Sequence, residues 1–121
     1  MTPGSPFAIV RHIPNQSDRT ELATIFKALA DPTRLAVIER LSIGPASASE
    51  LARPFTMALP SFMQHLDVLE HAGIVSSHKT GRTRTYQLTA NPLADATTWL
   101  TAHRNHWHRR LDQLDQFLTA T

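Results

Sequence analysis

The chain has 121 residues, of which 41% are hydrophobic and 18% charged, and its formal net charge is +2; these values are typical of one soluble globular domain. Cysteine is absent, which excludes disulfides, thiolate metal sites and a thiol nucleophile. The chain contains no apolar run near the roughly 18 residues of a membrane span, and residues 1–10 make a poor signal peptide. We therefore expect a cytoplasmic protein that has no membrane partner.

The first segment is rich in proline and small polar residues. Residues 1–17 include three prolines, a composition that favours a flexible arm over a helix. Between Asp18 and Ala30 the apolar residues recur at helical spacing, which predicts an amphipathic first helix with Asp18 as its N-cap. We expect a single domain over residues 18–119, with dimerisation helices at both of its ends.

Start and stop residues predict the next two helices. Asp31 can cap a second helix that begins at Pro32, where a missing N–H costs nothing, and that ends at residues 42–45. Ser47 and Glu50 have the spacing of a capping box for a short third helix, and Pro54 ends that helix.

A fourth helix, a hairpin and a long last helix complete the predicted order. The fourth helix begins at Pro60 and ends near Ala72, before Gly73. Residues 74–78 and 83–89 are rich in Ile, Val, Thr and Tyr, which predicts two strands with a turn at 79–82. Pro92, with Asn91 as a cap, opens a helix that ends near Leu118. The predicted fold is mostly α with a small β-hairpin, in the order α-α-α-α-β-β-α.

The helix pair and the hairpin after it have a possible function together. The hairpin carries Lys79, Arg82 and Arg84, and residues 73–89 contain no acidic residue. A helix after a tight turn can enter the major groove of DNA, and a basic hairpin tip can contact the phosphate backbone. The arrangement therefore favours double-stranded DNA as a partner.

Three motifs resemble those of ArsR-type (ArsR/SmtB) regulators. Residues 26–34 (FKALADPTR) are similar to that family's LADPTR, residues 64–75 (QHLDVLEHAGIV) to its HLxxLxxAGLV, and residues 79–88 (KTGRTRTYQL) to its xxGRxxxYxL. The resemblance covers about residues 20–118. It implies a winged helix-turn-helix fold and a homodimeric repressor whose outer helices pair across a two-fold axis. Such a dimer would bind an imperfect palindrome.

Two positions depart from the family's pattern. Met63 stands where the family often has serine, and Ala58 stands where it often has serine or threonine. Both changes remove a hydroxyl that could bond to phosphate or base. A winged-helix protein-interaction module without DNA binding therefore stays open as an alternative.

The fourth helix has two different faces. At 100° per residue, Phe62, Leu66 and Leu69 share one face, which predicts the core side. On the other face Gln64 can pair with adenine, and Ser61 can bond to either base partner. His65 lies at the core edge, where a structural hydrogen bond and a DNA contact are both open, whereas Arg34 is expected to be a surface or salt-bridge residue. The predicted DNA-binding residues are Pro60, Ser61, Met63, Gln64, His65, Lys79, Arg82 and Arg84.

The last helix carries an apolar stripe with both tryptophans of the chain. So wide a stripe exceeds what a small helical core needs, which indicates an interface with a second copy; the alternative is that it packs on its own chain. The predicted dimer residues are Leu22, Ile25 and Phe26 of the first helix and Trp99, Leu100, His103, Trp107, Leu111, Leu114 and Leu118 of the last.

The histidines of the last helix raise metal binding as a further function. His103 and His106 are three residues apart and could share an ion, which leaves a metal-responsive repressor as an alternative. The family's cysteine pair is missing, however, and its Asp/His pattern is incomplete at Asp95 and His108. We expect no metal and no cofactor. The sequence contains no GxSxG, P-loop or HExxH motif, so we expect no enzyme.

Overall fold

A computed structural model describes residues 16–119, and within them the chain forms five helices and three strands. In chain order these are α1 (Gln16–Leu29), α2 (Pro32–Leu41), β1 (Ala46–Ser47), α3 (Ala48–Ala52), α4 (Leu59–His71), β2 (Val75–Thr80), β3 (Thr83–Leu88) and α5 (Ala90–Thr119). Helices α2, α3 and α4 pack with the sheet around one core, and α1 packs against α2, α4 and α5. The predicted fold class is confirmed.

The helix ends follow the chemistry of their boundary residues. The Asp31 carboxylate accepts a hydrogen bond from the backbone N–H of Arg34 at 3.1 Å, and Pro32 begins α2. At α3, the Ser47 hydroxyl and the Glu50 carboxylate each accept from the other residue's backbone N–H, which is the predicted capping box. Helix α4 ends before Gly73, whose φ of 77° needs a residue without a Cβ. These predicted signals are confirmed.

The starts of the first and last helices differ from the prediction. Helix α1 begins at Gln16, so Asp18 lies in its first turn rather than at the N-cap. Apart from its last two residues, which belong to α1, the predicted arm over 1–17 lies outside the described residues. Helix α5 begins at Ala90, so Asn91 is not its cap. Such errors of one or two residues are expected where several polar residues compete for the cap.

The sheet differs from the predicted hairpin in two ways. Strand β2 continues to Thr80, so a two-residue turn, Gly81–Arg82, connects it to β3. The φ of 63° at Gly81 suits such a tight turn. In addition, β1 joins β3 antiparallel, with Ala46 opposite Tyr86, and makes the sheet three-stranded. Sequence analysis does not predict β1, because a strand of two residues is too short to show a pattern. Its pairing depends on Tyr86, which lies 40 positions along the chain from Ala46.

One face of α4 is at the centre of the core. Phe62, Leu66 and Leu69 are at most 1% exposed, as predicted. They lie in one apolar cluster with buried residues from all the other helices and strands: Ile25, Ala28, Val37, Leu41, Ala46, Leu51, Ile74, Val75, Tyr86 and Ala96. Burial is what raises the pKa of Tyr86 most, and the negative charge of Glu70 raises it further. The core thus fixes which face of α4 points outward.

Replacement of the central leucine tests this core. Leu66→Ala is expected to lower the free energy of unfolding by about 2–5 kcal/mol, because a fully buried side chain is lost and a cavity remains. Val68→Ala is the matched control, since Val68 is 40% exposed on the same helix. Urea unfolding of both variants measures the difference. Equal losses would contradict the assignment of the buried face.

Candidate nucleic-acid interface

The outward face of α4 is exposed along its whole length. Pro60, Ser61, Gln64 and Asp67 are all exposed, and they lie on the side opposite the buried leucines. Gln64 offers a donor and an acceptor side by side, the arrangement that pairs with an adenine edge. The structure therefore leaves three of the predicted contact residues, Pro60, Ser61 and Gln64, open to a partner.

The start of α4 has an unusual cap. Its N-cap residue is Ala58, which makes no side-chain hydrogen bond to the helix, as the missing hydroxyl predicts. Helix N-termini attract anions because their first N–H groups point outward and carry a partial positive charge. The next residue, Leu59, is 56% exposed and offers apolar surface that suits a thymine methyl group. Sequence analysis missed Leu59 because an isolated leucine carries no polar signal.

Two predicted contact residues are placed differently. Met63 is half-buried and packs against the core cluster, so its side chain is not on the open face. The imidazole Nδ1 of His65 lies 2.9 Å from Nη1 of Arg34 and 3.6 Å from the Asp31 carboxylate. The sequence allowed either a structural hydrogen bond or a DNA contact for His65, and the structure shows the hydrogen bond.

The side chain of Arg34 makes three contacts within the chain, in addition to the hydrogen bond from its backbone N–H to the capping residue Asp31. Its Nε donates to the carbonyl of Ala28 at 2.6 Å, and Nη2 donates to the carbonyl of Lys27 at 3.3 Å. Partial burial acts to raise the pKa of the nearby Asp31, but the hydrogen bond from the backbone N–H of Arg34 and the positive charge of its guanidinium act in the opposite direction, and the pKa of Asp31 lies below its usual value. The sequence predicted a surface or salt-bridge residue at Arg34; its side chain is instead half-buried and bonds to backbone carbonyls and to His65.

The hairpin places positive charge at its tip. Lys79 and Arg84 are directly opposite each other on β2 and β3, and Arg82 is in the exposed turn. Like charges in such a cross-strand pair repel each other, so the tip favours an anionic partner. Side chains of a strand alternate between faces, and this pair is two positions beyond the Ser77–Tyr86 pair on the same face.

A hydrogen-bonded chain connects that face to α4. Arg84 Nη1 donates to the Ser77 hydroxyl at 2.9 Å, and that hydroxyl donates to the Glu70 carboxylate at 2.8 Å. A guanidinium has five N–H donors, so Arg84 can bond to Ser77 and still have free N–H groups that could donate to a phosphate. The hairpin of β2 and β3, which we call the wing, is therefore held against the C-terminal part of α4 by side-chain hydrogen bonds.

A second surface lies on the far helices. An open groove of about 1260 Å³ lies between α1 and the first half of α5, and its lining includes Leu22, Phe26 and Trp99. Phe26 meets Trp99 edge-on, with ring centroids 5.6 Å apart. Ile25, which the sequence assigned to the dimer surface, is only 6% exposed and belongs to the core cluster.

The second half of α5 extends the groove as an apolar stripe. Every residue from 104 to 119 is exposed. The large apolar side chains on this segment are 52–69% exposed: Trp107, Leu111, Leu114, Phe117 and Leu118. Even so, no helix among the described residues combines the length and the apolar character that crossing a bilayer requires.

His103 belongs to the aromatic part of this surface. Its ring stacks on Trp99 at 4.2 Å, and its Nδ1 lies 2.9 Å from the Trp99 carbonyl. Residues 16–119 contain no group of three or more His, Cys, Asp or Glu side chains placed to hold a metal ion. The chemistry available here is apolar and aromatic packing.

Known proteins share both the sequence and the fold. A helix-turn-helix domain family matches residues 29–78. The chain is 34% identical to the transcriptional repressor SdpR of Bacillus subtilis, over 63% of this chain and 84% of that protein. It is 40% identical to the HTH-type transcriptional regulator Rv2034 of Mycobacterium tuberculosis, over 78% of this chain and 86% of that protein. The crystal structure of an ArsR family transcriptional regulator superposes with a TM-score of 0.71 at 50% identity, covering 74% and 93% of the two chains.

The wing gives a prediction that depends only on charge. Arg82→Ala is expected to lower the magnitude of the salt slope of DNA binding by about one unit on any sequence, and the double variant with Arg84→Ala by up to about two, because each phosphate contact releases about one counterion. Arg110→Ala on α5 removes the same charge elsewhere and is the control. Titrations at several salt concentrations measure the slope. An unchanged slope in the double variant would remove the wing from the interface.

Proposed function

The chain belongs to the ArsR family of winged helix-turn-helix transcriptional regulators, and we propose that it represses transcription as a homodimer bound to an imperfect DNA palindrome. Its relatives include a named transcriptional repressor, and the chain is a DNA-binding transcriptional repressor rather than an enzyme. The proposal adds three points: the residues that contact DNA, the pairing of two copies and a cytoplasmic location.

The single observation that carries the DNA-contact proposal is the attachment of the basic wing to α4, the helix with the exposed polar face. Gln64 and Ser61 are exposed on α4, and the Glu70–Ser77–Arg84 chain holds the basic wing against the same helix. A helix in the major groove and a flanking basic hairpin make base and phosphate contacts respectively. We assign base contacts to Ser61 and Gln64 and phosphate contacts to Lys79, Arg82 and Arg84.

The pairing proposal is supported by the apolar stripe of α5. A 30-residue helix is about 45 Å long, and its second half, residues 104–119, stays exposed in one chain. So much contiguous apolar surface indicates a protein interface. A second copy of this chain is the occupant we propose, because its own α5 brings an equal stripe and a two-fold axis pairs like with like. The groove beside α1 continues the same surface.

Pairing also follows from what DNA recognition requires. One small module buries too little surface for tight specific binding, so such modules act in pairs. A two-fold axis places two α4 helices on one face of the duplex, one helical turn or a multiple of it apart. The half-sites should therefore be inverted copies of each other.

Selection from a random-sequence duplex library tests the proposal. We expect the wild-type protein to enrich an imperfect palindrome. Gln64→Ala should weaken binding to the selected duplex by about 1–3 kcal/mol and leave a scrambled duplex nearly unchanged, since base contacts carry the sequence information. Asp112→Asn on α5 changes a remote polar residue and serves as control. Equal losses on both duplexes would show that Gln64 makes no base contact, and no enrichment would contradict sequence-specific binding.

Removal of a tryptophan tests the pairing. Trp107→Ala should shift the protein toward monomer and reduce affinity for the selected duplex together, because truncation of a buried interface aromatic costs about 2 kcal/mol or more. Sedimentation at micromolar concentration and a binding titration measure the two effects. His108→Ala, one residue along, is the matched control. A monomeric wild type, or a dimeric variant that binds normally, would contradict the proposed interface.

A further inference from the structure

Arg34 lies where three helices meet. It is in the first turn of α2, its Nε and Nη2 donate to the Ala28 and Lys27 carbonyls at the end of α1, and its Nη1 lies 2.9 Å from His65 on α4. The last carbonyls of a helix have no partner within the helix. One guanidinium therefore supplies donors to the end of α1 and to the proposed recognition helix at once.

The chemistry of the contact assigns a role to each imidazole nitrogen. A guanidinium only donates hydrogen bonds, so Nδ1 of His65 accepts in the contact with Arg34, and Nε2 is the nitrogen that carries the ring proton. The nearest carboxylate, Asp31, is 3.6 Å from the same Nδ1, and that carboxylate already accepts from the backbone of Arg34. His65 is thus within hydrogen-bonding distance of Arg34 but not of Asp31. Asp31 instead caps the start of α2, the helix that carries Arg34.

His65 stands next to Gln64 in the chain, and the two side chains have different surroundings. Gln64 is exposed, while the side chain of His65 is 23% exposed and faces Arg34. Apolar packing through Leu66 and Leu69 holds α4 on the core but is non-directional, whereas a hydrogen bond constrains distance and angle. The Arg34–His65 contact therefore restrains how α4 is rotated and shifted relative to α1.

We propose that Arg34 and His65 are positioning residues for DNA recognition: their hydrogen bond couples the proposed recognition helix α4 to α1, a helix of the proposed pairing surface. The inference rests on the proposed function. Pairing through α1 and α5 then sets the place of each α4, and with it the place of Gln64 in each half-site. Neither Arg34 nor His65 needs to touch DNA for the coupling to determine affinity.

Two amide substitutions separate this role from a DNA contact. The Asn carbonyl oxygen can take the place of Nδ1, whereas a Gln amide reaches the place of Nε2. His65→Asn should keep affinity for the library-selected duplex within about twofold of wild type, while His65→Gln and His65→Phe should each lose about tenfold, equal to about 1.4 kcal/mol. Binding to a scrambled duplex should stay unchanged in all three. The reverse order, with Gln as the better replacement, would show a DNA contact by Nε2 and overturn the proposal.

A double-mutant cycle tests whether Arg34 and His65 act through one shared contact. Arg34→Met and His65→Phe, singly and together, are compared for affinity to the selected duplex, with urea unfolding and sedimentation on every protein. The double variant should bind no worse than the weaker single variant, because the second change removes a bond already lost. Additive losses, or losses that match a shift to monomer or a fall in stability, would overturn the positioning role.

The Gln64→Ala protein distinguishes failure of this inference from failure of the proposed function. If Gln64→Ala loses affinity for the selected duplex while the His65 variants all bind like wild type, the coupling is wrong and the recognition helix stands. If Gln64→Ala also binds like wild type, the proposed recognition helix itself is wrong, and the inference is overturned with it.

Discussion

Leu66 and Leu69 have no exposed surface, and Phe62 has almost none; their burial fixes the position of α4, and the rest of the molecule is arranged around it. Helices α2 and α3 and strand β2 all pack against α4. With one face of the helix inside the core, the opposite face has to point outward. The polar residues on that face are therefore presented to a partner by the same packing that stabilises the domain.

Polar contacts refine what apolar packing leaves free. At its middle, α4 is tied to α1 and α2 through His65 and Arg34. Near its C-terminus, Glu70 ties it to Ser77 and Arg84 of the wing. These contacts lie at two different places along the helix, so both its position and the position of the wing beside it are restrained. Recognition of DNA by two elements at once requires such a fixed relation.

The long last helix has a different kind of exposed surface. Its first part packs on α1, with Trp99 against Phe26, while its second part exposes Trp107, Leu111 and Leu114 to solvent. The two parts form one continuous apolar surface of groove and stripe. In a single chain this surface is unfavourable in water, and that cost supports the proposal that a second copy covers it. The proposed pairing surface and the proposed DNA contacts lie on different helices of the domain.

The sequence by itself determined the local features. Caps at Asp31 and Ser47, the turn at Gly73 and the buried face of α4 depend on residues at most a few positions apart, and each was predicted correctly. The candidate site was predicted in its elements and in its exposed members, such as Gln64 and Arg82. What identified them was short-range: helical spacing, capping chemistry and the clustering of basic residues.

Only the tertiary structure decided the contacts between distant segments. Strand β1 exists because Ala46 meets Tyr86, and His65 turns toward Arg34, 31 residues away, rather than toward the open face. Sequence analysis assigned Ile25 to the pairing surface and Met63 to the DNA-binding residues, yet Ile25 is buried in the core cluster and Met63 packs against that cluster. Pattern and spacing involve residues that are close together in the chain, whereas burial and side-chain hydrogen bonds depend on which distant segments pack against them.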